Sequence, residues 1–439
     1  MRILLGTKNV ANIVYTLRKA FRCCGFEADV AVHGSNKFYD DSPDHDISPL
    51  YELPSLGYTV SAAQDFLQKY WQQLLGYDLY IFSHSCSLLP RLVDLPILKM
   101  LGKKVIMISG GSDTRHGYSA KYLYKNYHIE FPNDLCVNNL GSICSIEQIF
   151  NSSQYGESFV NKLHNIRMTE LFTDCHFTDV AHSNLGIKPY FNGSLWGEFR
   201  NNGQLRKEPK LIKILHAPSR STFKQTSFII ETFNKLHEAG YKFEYSILRN
   251  LDNKSFLDLL SNYDILVDEV AFARPALLAH EAMSSGMVVL GPNDDSLYSP
   301  NEIIPPVIGV NNNNLYGCIA YFLENPKAIR RFSEMSLDYM SNQRVKLHDI
   351  PNVFLDSLSK SEKSKYGCYP LAFYDFVQNP HKERLPHYLL EFTDRIIHKF
   401  GTPDLRRLKH ANQSGYTSLV NAPCWQMKAL KSELWGFYN

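Results

Sequence analysis

Four short stretches hold residue types that could act on a charged, hydroxyl-bearing ligand. In HAPSRSTFKQT (216–226), Arg220 and Lys224 stand just before a helix-forming run, with Ser219 beside them. Two cations at a helix N-terminus suit a diphosphate, because free backbone N–H groups and the helix dipole both favour an anion there. Arginine would add a bidentate fork and lysine a point charge. In HEAMSSGMVVLG (280–291), Glu281 lies on a helix-forming run that stops at Gly286 and turns at once into an apolar strand. Its carboxylate could accept two hydrogen bonds from a ribose diol, as acids do in dinucleotide sites. In the amino-terminal half, His84 follows the apolar run of YDLYIFSHSCSLL (77–89). Asp113 and Arg115 share the loop of KKVIMISGGSDTRHG (103–117). Each residue also has an ordinary role. Arg220, Lys224 and Glu281 could be solvated charges, His84 a packed histidine, and Asp113 a turn former.

These residues need elements to place them, and the chain supplies two similar sets. Over the first 130 residues strand and helix alternate: strands at 2–5, 27–32, 78–82 and 104–109, helices at 10–24, 67–75 and 95–101. On the first helix Val10, Ile13, Val14, Leu17, Ala20, Phe21 and Cys24 share one face at helical spacing. Gly and Asn among charges mark a linker over 192–209. The alternation then restarts, with strands at 211–215, 243–248, 264–267 and 287–290. Helices are expected at 227–239, 254–261, 275–284, 315–323 and 328–340. Such alternation implies parallel sheets with helices on both faces. The expected fold class is α/β: two Rossmann-like doubly wound domains facing a cleft, with a C-terminal helical extension. The expected domains are 1–195, 210–355 and an extension over 356–439. In open α/β sheets ligands sit beyond the carboxyl ends of the strands, so the residues that follow strands, His84, Asp113, Arg115, Ser219, Arg220 and Lys224, are the informative ones, with Glu281 on the helix before the strand 287–290.

Composition narrows the partners. The 46 basic and 44 acidic residues nearly cancel at net +2, so no polyelectrolyte signature points to nucleic acid. Nine cysteines without a C-x-x-C argue against structural zinc or a disulfide framework and favour a reduced, cytoplasmic setting. No run approaches the roughly 18 apolar residues of a membrane span. Asp44-His45-Asp46 spells D-x-D but lies in a polar loop, so no metal is expected there.

LIKILHAPSRSTFKQTSFIIETFNKLHEAGYKFEYSIL (211–248), LLSNYDILVDEV (259–270) and LLAHEAMSSGMVVLG (277–291) together resemble the carboxyl-terminal domain of the GT-B glycosyltransferases of retaining family 4 (glycosyl transferases group 1), which includes sucrose and mannosyl transferases. In that family an Arg and a Lys in this strand–loop–helix hold the donor diphosphate, positions matched by Arg220 and Lys224. The second acid of the family's E-x7-E motif binds the donor ribose and is matched by Glu281. The first acid would fall at position 273, where this chain has Ala273. His84 is similar to the family's D-h-h-h-x-H histidine. Gly111, Ser112, Asp113 and Arg115 resemble the G-S-D-x-R loop of some members. Gly6 and Asn9 end the first strand on what would be the acceptor side.

The resemblance covers about residues 1 to 355. It implies a retaining, metal-independent transfer of sugar from a nucleotide-sugar donor to a saccharide or glycolipid acceptor, with no cofactor. Asp113 and His84 would line the reacting sugar. Two other readings stay open: a sugar-nucleotide epimerase on the same fold, and a non-catalytic nucleotide-sugar binding protein, to which Ala273 lends weight. Residues 357–367 read as a polar linker. The helix expected at 388–400 would cap the domains or touch a partner or the inner face of a membrane.

Overall fold

The computed structural model describes residues 1–32, 70, 73–89, 92, 94–110, 113, 153–154, 157–158, 165, 168–169, 172–177, 203–219, 221, 224–270, 274–295, 298, 303–343 and 346–360. Arg115, Arg220, Ala273, the D-x-D loop, residues 192–202 of the expected linker and the tail beyond 360 lie outside these.

The first sheet is built from β1 (Arg2–Thr7), β2 (Glu27–Val32), β3 (Leu79–Ser83), β4 (Lys104–Ile108) and β7 (Cys175–Phe177), in the order β2-β1-β3-β4-β7, every ladder parallel. β1, β3 and β4 are nearly continuous buried apolar runs, as expected where helices cover both faces. β5 (Ser153–Gln154) and β6 (Glu157–Ser158) form a separate antiparallel pair. Helix α1 (Ile13–Cys23) buries Val14, Leu17, Ala20 and Phe21, the stripe its spacing predicts. It begins later than expected because Ala11 and Asn12 take positive φ angles of 53° and 57°, which no helix interior tolerates. Cys24 is its exposed cap rather than part of the stripe. α2 (Leu95–Met100) leads into β4.

The second sheet contains β8 (Lys213–His216), β9 (Glu244–Ile247), β10 (Ile265–Val267), β11 (Val288–Gly291) and β12 (Ile308–Gly309), in the order β12-β11-β10-β8-β9, again all parallel. Around it lie α3 (Thr226–Glu238), α4 (Asn253–Leu259), α5 (Leu277–Ser284), α6 (Leu315–Glu324) and α7 (Ala328–Gln343). α3 buries Ile229, Phe233 and Leu236 against β8 and β10, while Phe228 stays partly buried. In each sheet the order reverses beside the first strand, between β1 and β3 and between β8 and β10. At such a switch point the loops diverge and leave a crevice at the carboxyl ends.

Residues 203–206 lie flat against the second sheet's surroundings. A Cβ on Gly203 would come 2.1 Å from the Ser284 carbonyl oxygen, and one on Gly286 would come 2.3 Å from that of Gln204. Arg206 is buried and donates to the Leu260 and Ser261 carbonyls. The last described helix, α8 (Ile350–Lys360), leaves this domain. Ile350 and Phe354 sit in the first sheet's core, with the Phe354 ring 4.8 Å from Phe177 and 6.0 Å from Phe21. Residues 357–360, expected as linker, are the last turn of this helix, with Leu358 partly buried against the first sheet's core and Ser359 and Lys360 exposed.

Candidate functional site

The first switch point gathers His84, Ser85, Gly110 and Asp113. The chain leaves β3 through His84 and Ser85, both left-handed at φ 55° and 50°. Two consecutive non-glycine residues there store backbone strain on the order of 1 to 3 kcal/mol each. The turn is held by the His84 N–H donating to the Ile108 carbonyl at 2.7 Å. Asp113 accepts from the Gly110 N–H at 3.1 Å and from the Ser85 hydroxyl at 3.3 Å, so one carboxylate ties the loop after β4 to the loop after β3. The His84 ring presses on Gly110: a Cβ there would fall 1.9 Å from Nε2. Burial pushes the His84 pKa below the usual histidine value, Asp113 opposes that shift and Lys8 adds to it. The ring is therefore neutral at pH 7, and its buried Nδ1 has no hydrogen-bond partner among the described residues.

Gly6 and Asn9 serve the scaffold at this edge. A Cβ on Gly6 would lie 2.2 Å from the Ala31 carbonyl oxygen, so the glycine lets β1 close on β2. Asn9 accepts from the Val14 N–H and donates to Asn12, pinning the start of α1.

The second switch point is built from charges. His216, the last residue of β8, is fully buried and bridges two elements: Nδ1 is 2.8 Å from the Val267 carbonyl and Nε2 is 2.9 Å from the Thr226 hydroxyl. A carbonyl can only accept, so Nδ1 carries the proton and Nε2 accepts from Thr226. Burial pushes its pKa down to about 4, and the ring stays neutral. It thereby fixes the first residue of α3 to the end of β10.

Lys224, just before α3, is buried with its Nζ 2.7 Å from Asp268 and 2.7 Å from Glu269, the two residues that follow β10. Burial works against its charge, but the two carboxylates outweigh burial and hold its pKa well above the ordinary lysine value. The other Asp268 oxygen is buried with no hydrogen-bond partner among the described residues. Gln225 enters α3 in the left-handed region at φ 49°. Ser219 is exposed on the loop between β8 and α3.

Glu281 is half-buried on α5 between buried neighbours His280 and Ala282. Burial raises its pKa to about 7. The hydrogen bond from Asn253 Nδ2 to Oε1, 3.0 Å, pulls it back, and the charge on Asp268 adds to the rise. The helix stops as the sequence suggests. The Ser284 and Ser285 hydroxyls both donate to the Glu281 carbonyl, and Gly286 takes φ 82°. Near the end of β11, Arg274 stacks its guanidinium 4.1 Å over the Tyr298 ring.

Lys224 and Glu281 thus lie in one domain, linked electrostatically through Asp268, while His84 and Asp113 meet at the other sheet's switch point. Asp268 and Glu269 do not fit the spacing of an E-x7-E motif; their signal in the sequence is two acids straight after an apolar strand, downstream of a Lys before a helix. Asn253 gave none. Among the described residues no three His, Cys, Asp or Glu side chains gather as metal ligands. No helix among them is long and apolar enough to cross a membrane.

No family model and no curated protein matches the chain by sequence. Solved structures do match in shape. Sucrose-phosphate synthase from Thermosynechococcus elongatus aligns at TM-score 0.53 and 13% identity over 82% of this chain and 100% of that one. An alpha-glucosyltransferase solved with UDP-glucose and DNA containing an abasic site reaches 0.49 at 10% identity, covering 82% and 100%. Anabaena HepE in complex with UDP and glucose reaches 0.47 at 13% identity, with the same coverage. At such identities the likeness is one of fold, and the fold is GT-B: two Rossmann-like domains with parallel sheets.

Proposed function

We propose that the chain is a glycosyltransferase that moves a sugar from a nucleotide-sugar to a saccharide or glycolipid acceptor, with retention and without a metal. The observation that carries this is the second switch point. There a lysine held by two acids stands before a thirteen-residue helix, and a half-buried glutamate with one engaged oxygen lies on the neighbouring α5. Lys224 has three N–H donors and spends two on Asp268 and Glu269, leaving one for a phosphate oxygen. The acids hold the ammonium in place rather than letting it swing into solvent. With Arg220 and the α3 N-terminus it would meet charge as it develops on the leaving diphosphate, the electrostatic work a metal performs elsewhere. Glu281 would accept the ribose hydroxyls. His84, neutral and with an open nitrogen, and Asp113 would line the sugar, and Arg115 would stand on the acceptor side.

Thermal shift against UDP, ADP, GDP and their sugar conjugates tests the donor site, since a ligand that binds only the folded state raises the melting temperature. One nucleotide is expected to stabilise the parent and to lose that effect in Arg220→Ala and Glu281→Ala. Retained stabilisation in both variants would sink the assignment. Incubating the stabilising nucleotide-sugar with a mixture of saccharide and lipid-linked acceptors then separates transfer from isomerisation of the donor alone.

A further inference from the structure

We infer that Asn253 is a positioning residue, whose side-chain amide aims the Glu281 carboxylate at the ribose diol of a bound nucleotide. The inference rests on the donor-site reading of Glu281. Among the described residues Asn253 is the one hydrogen-bond donor to that carboxylate, at 3.0 Å and across 28 residues of sequence. A glutamate side chain on a helix has three rotatable bonds, so its two oxygens face a fixed direction only when something outside the helix holds them. Asn253 is well placed to do so because its own backbone is pinned on both sides. Asp252 caps α4 by accepting from the Ser255 N–H at 2.9 Å, and Phe256 anchors the same turn in the core.

The bond also selects a geometry. It occupies one lone pair of Oε1 and leaves Oε2 without a partner among the described residues. An ionised carboxylate has about four acceptor positions, so enough remain for both hydroxyls of a diol. The donated N–H favours the ionised form, which accepts from both hydroxyls at once. Burial and Asp268, the acid facing Glu281 from the end of β10, both favour the protonated form. Asp268 is itself paired with Lys224. Asn253 therefore sets the direction of the ribose ligand and pulls its carboxyl toward the ionised form, against the larger opposing effect of burial.

The test compares a ribonucleotide with its 2′,3′-dideoxy form on the full chain, using whichever of UDP, ADP or GDP binds the parent. Asn253→Ala is expected to weaken the ribonucleotide about tenfold, a typical loss for a hydrogen bond to a charged group. Binding of the dideoxy form should not change. The pH at which ribonucleotide affinity falls to half should move upward, because the bond that held down the Glu281 proton affinity is gone. Asn253→Ser, which keeps a donor, should recover part of the ribonucleotide affinity and covers the case in which the alanine variant folds poorly. Equal weakening of both nucleotides with no change in the pH midpoint would overturn the inference and leave Asn253 a structural residue. Glu281→Ala is the separate control: if it binds the ribonucleotide like the parent, the donor site itself is wrong.

Discussion

The two switch points perform the same geometric task with different materials. The first is made of backbone: two left-handed residues, a glycine pressed under an imidazole, and one carboxylate stitching the loops. The second is made of charge: a lysine between two acids, and a glutamate raised to about 7 mainly by its burial. The contrast matches what each would have to do. A site for a diphosphate must hold charge out of water and keep it aimed. A site beside a neutral sugar needs hydrogen-bonding atoms in fixed places, which strained turns supply.

The sharpest way to break the comparison is Lys224→Met. It would take the Lys224 ammonium away from the buried Asp268 and Glu269, and removing one partner of a buried pair costs about 3 to 5 kcal/mol. Urea unfolding should show that loss, and adding Asp268→Asn with Glu269→Gln should recover much of it. If the lysine variant unfolds like the parent, the second site is not held by charge.

Glu281→Gln probes the same site by pH. The folded pKa of about 7 lies above the ordinary glutamate value near 4.5, so ionising Glu281 opposes folding. Below pH 4.5 the acid is protonated in both states and the variant should match the parent apart from a constant offset. From there through pH 7 the variant should gain stability relative to the parent, levelling off at about 3 kcal/mol above pH 8. Melting curves across pH 4 to 9 measure this. A gap that does not change with pH would remove the claim that the acid is destabilised by its site.

Gly110→Ala should have the smallest effect. The new methyl collides with His84, whose ring must turn away, at a cost on the order of 1 to 3 kcal/mol. Sugar transfer should fall sharply while nucleotide binding, measured by the same thermal shift, stays as in the parent. Loss of nucleotide binding would mean the two clusters are not separable.

Local signals made much of this legible. The strand and helix alternation, the α1 stripe, the helix stop at Gly286 and the position of Lys224 before α3 all depend on neighbours within a few residues. What stayed hidden depends on distant ones. Asp268 and Glu269 acquire their partner across more than forty residues, and Asn253 reaches Glu281 only because α4 and α5 pack together. β7 is three residues long, too short for any periodicity. α8 ends in Ser357, Ser359 and Lys360, which read as linker; its apolar residues Ile350 and Phe354 fit a face that belongs to the other domain.

That last helix bears on the order in which the protein can be made. Phe354 fills a gap between Phe21 and Phe177, and burying a phenylalanine is worth about 1.5 to 3 kcal/mol. The ribosome releases Phe21 and Phe177 long before it reaches Phe354, and the entire second sheet lies between. The domain that is synthesised first is thus completed last. Until α8 emerges, Phe21 and Phe177 lack the ring that packs against both of them.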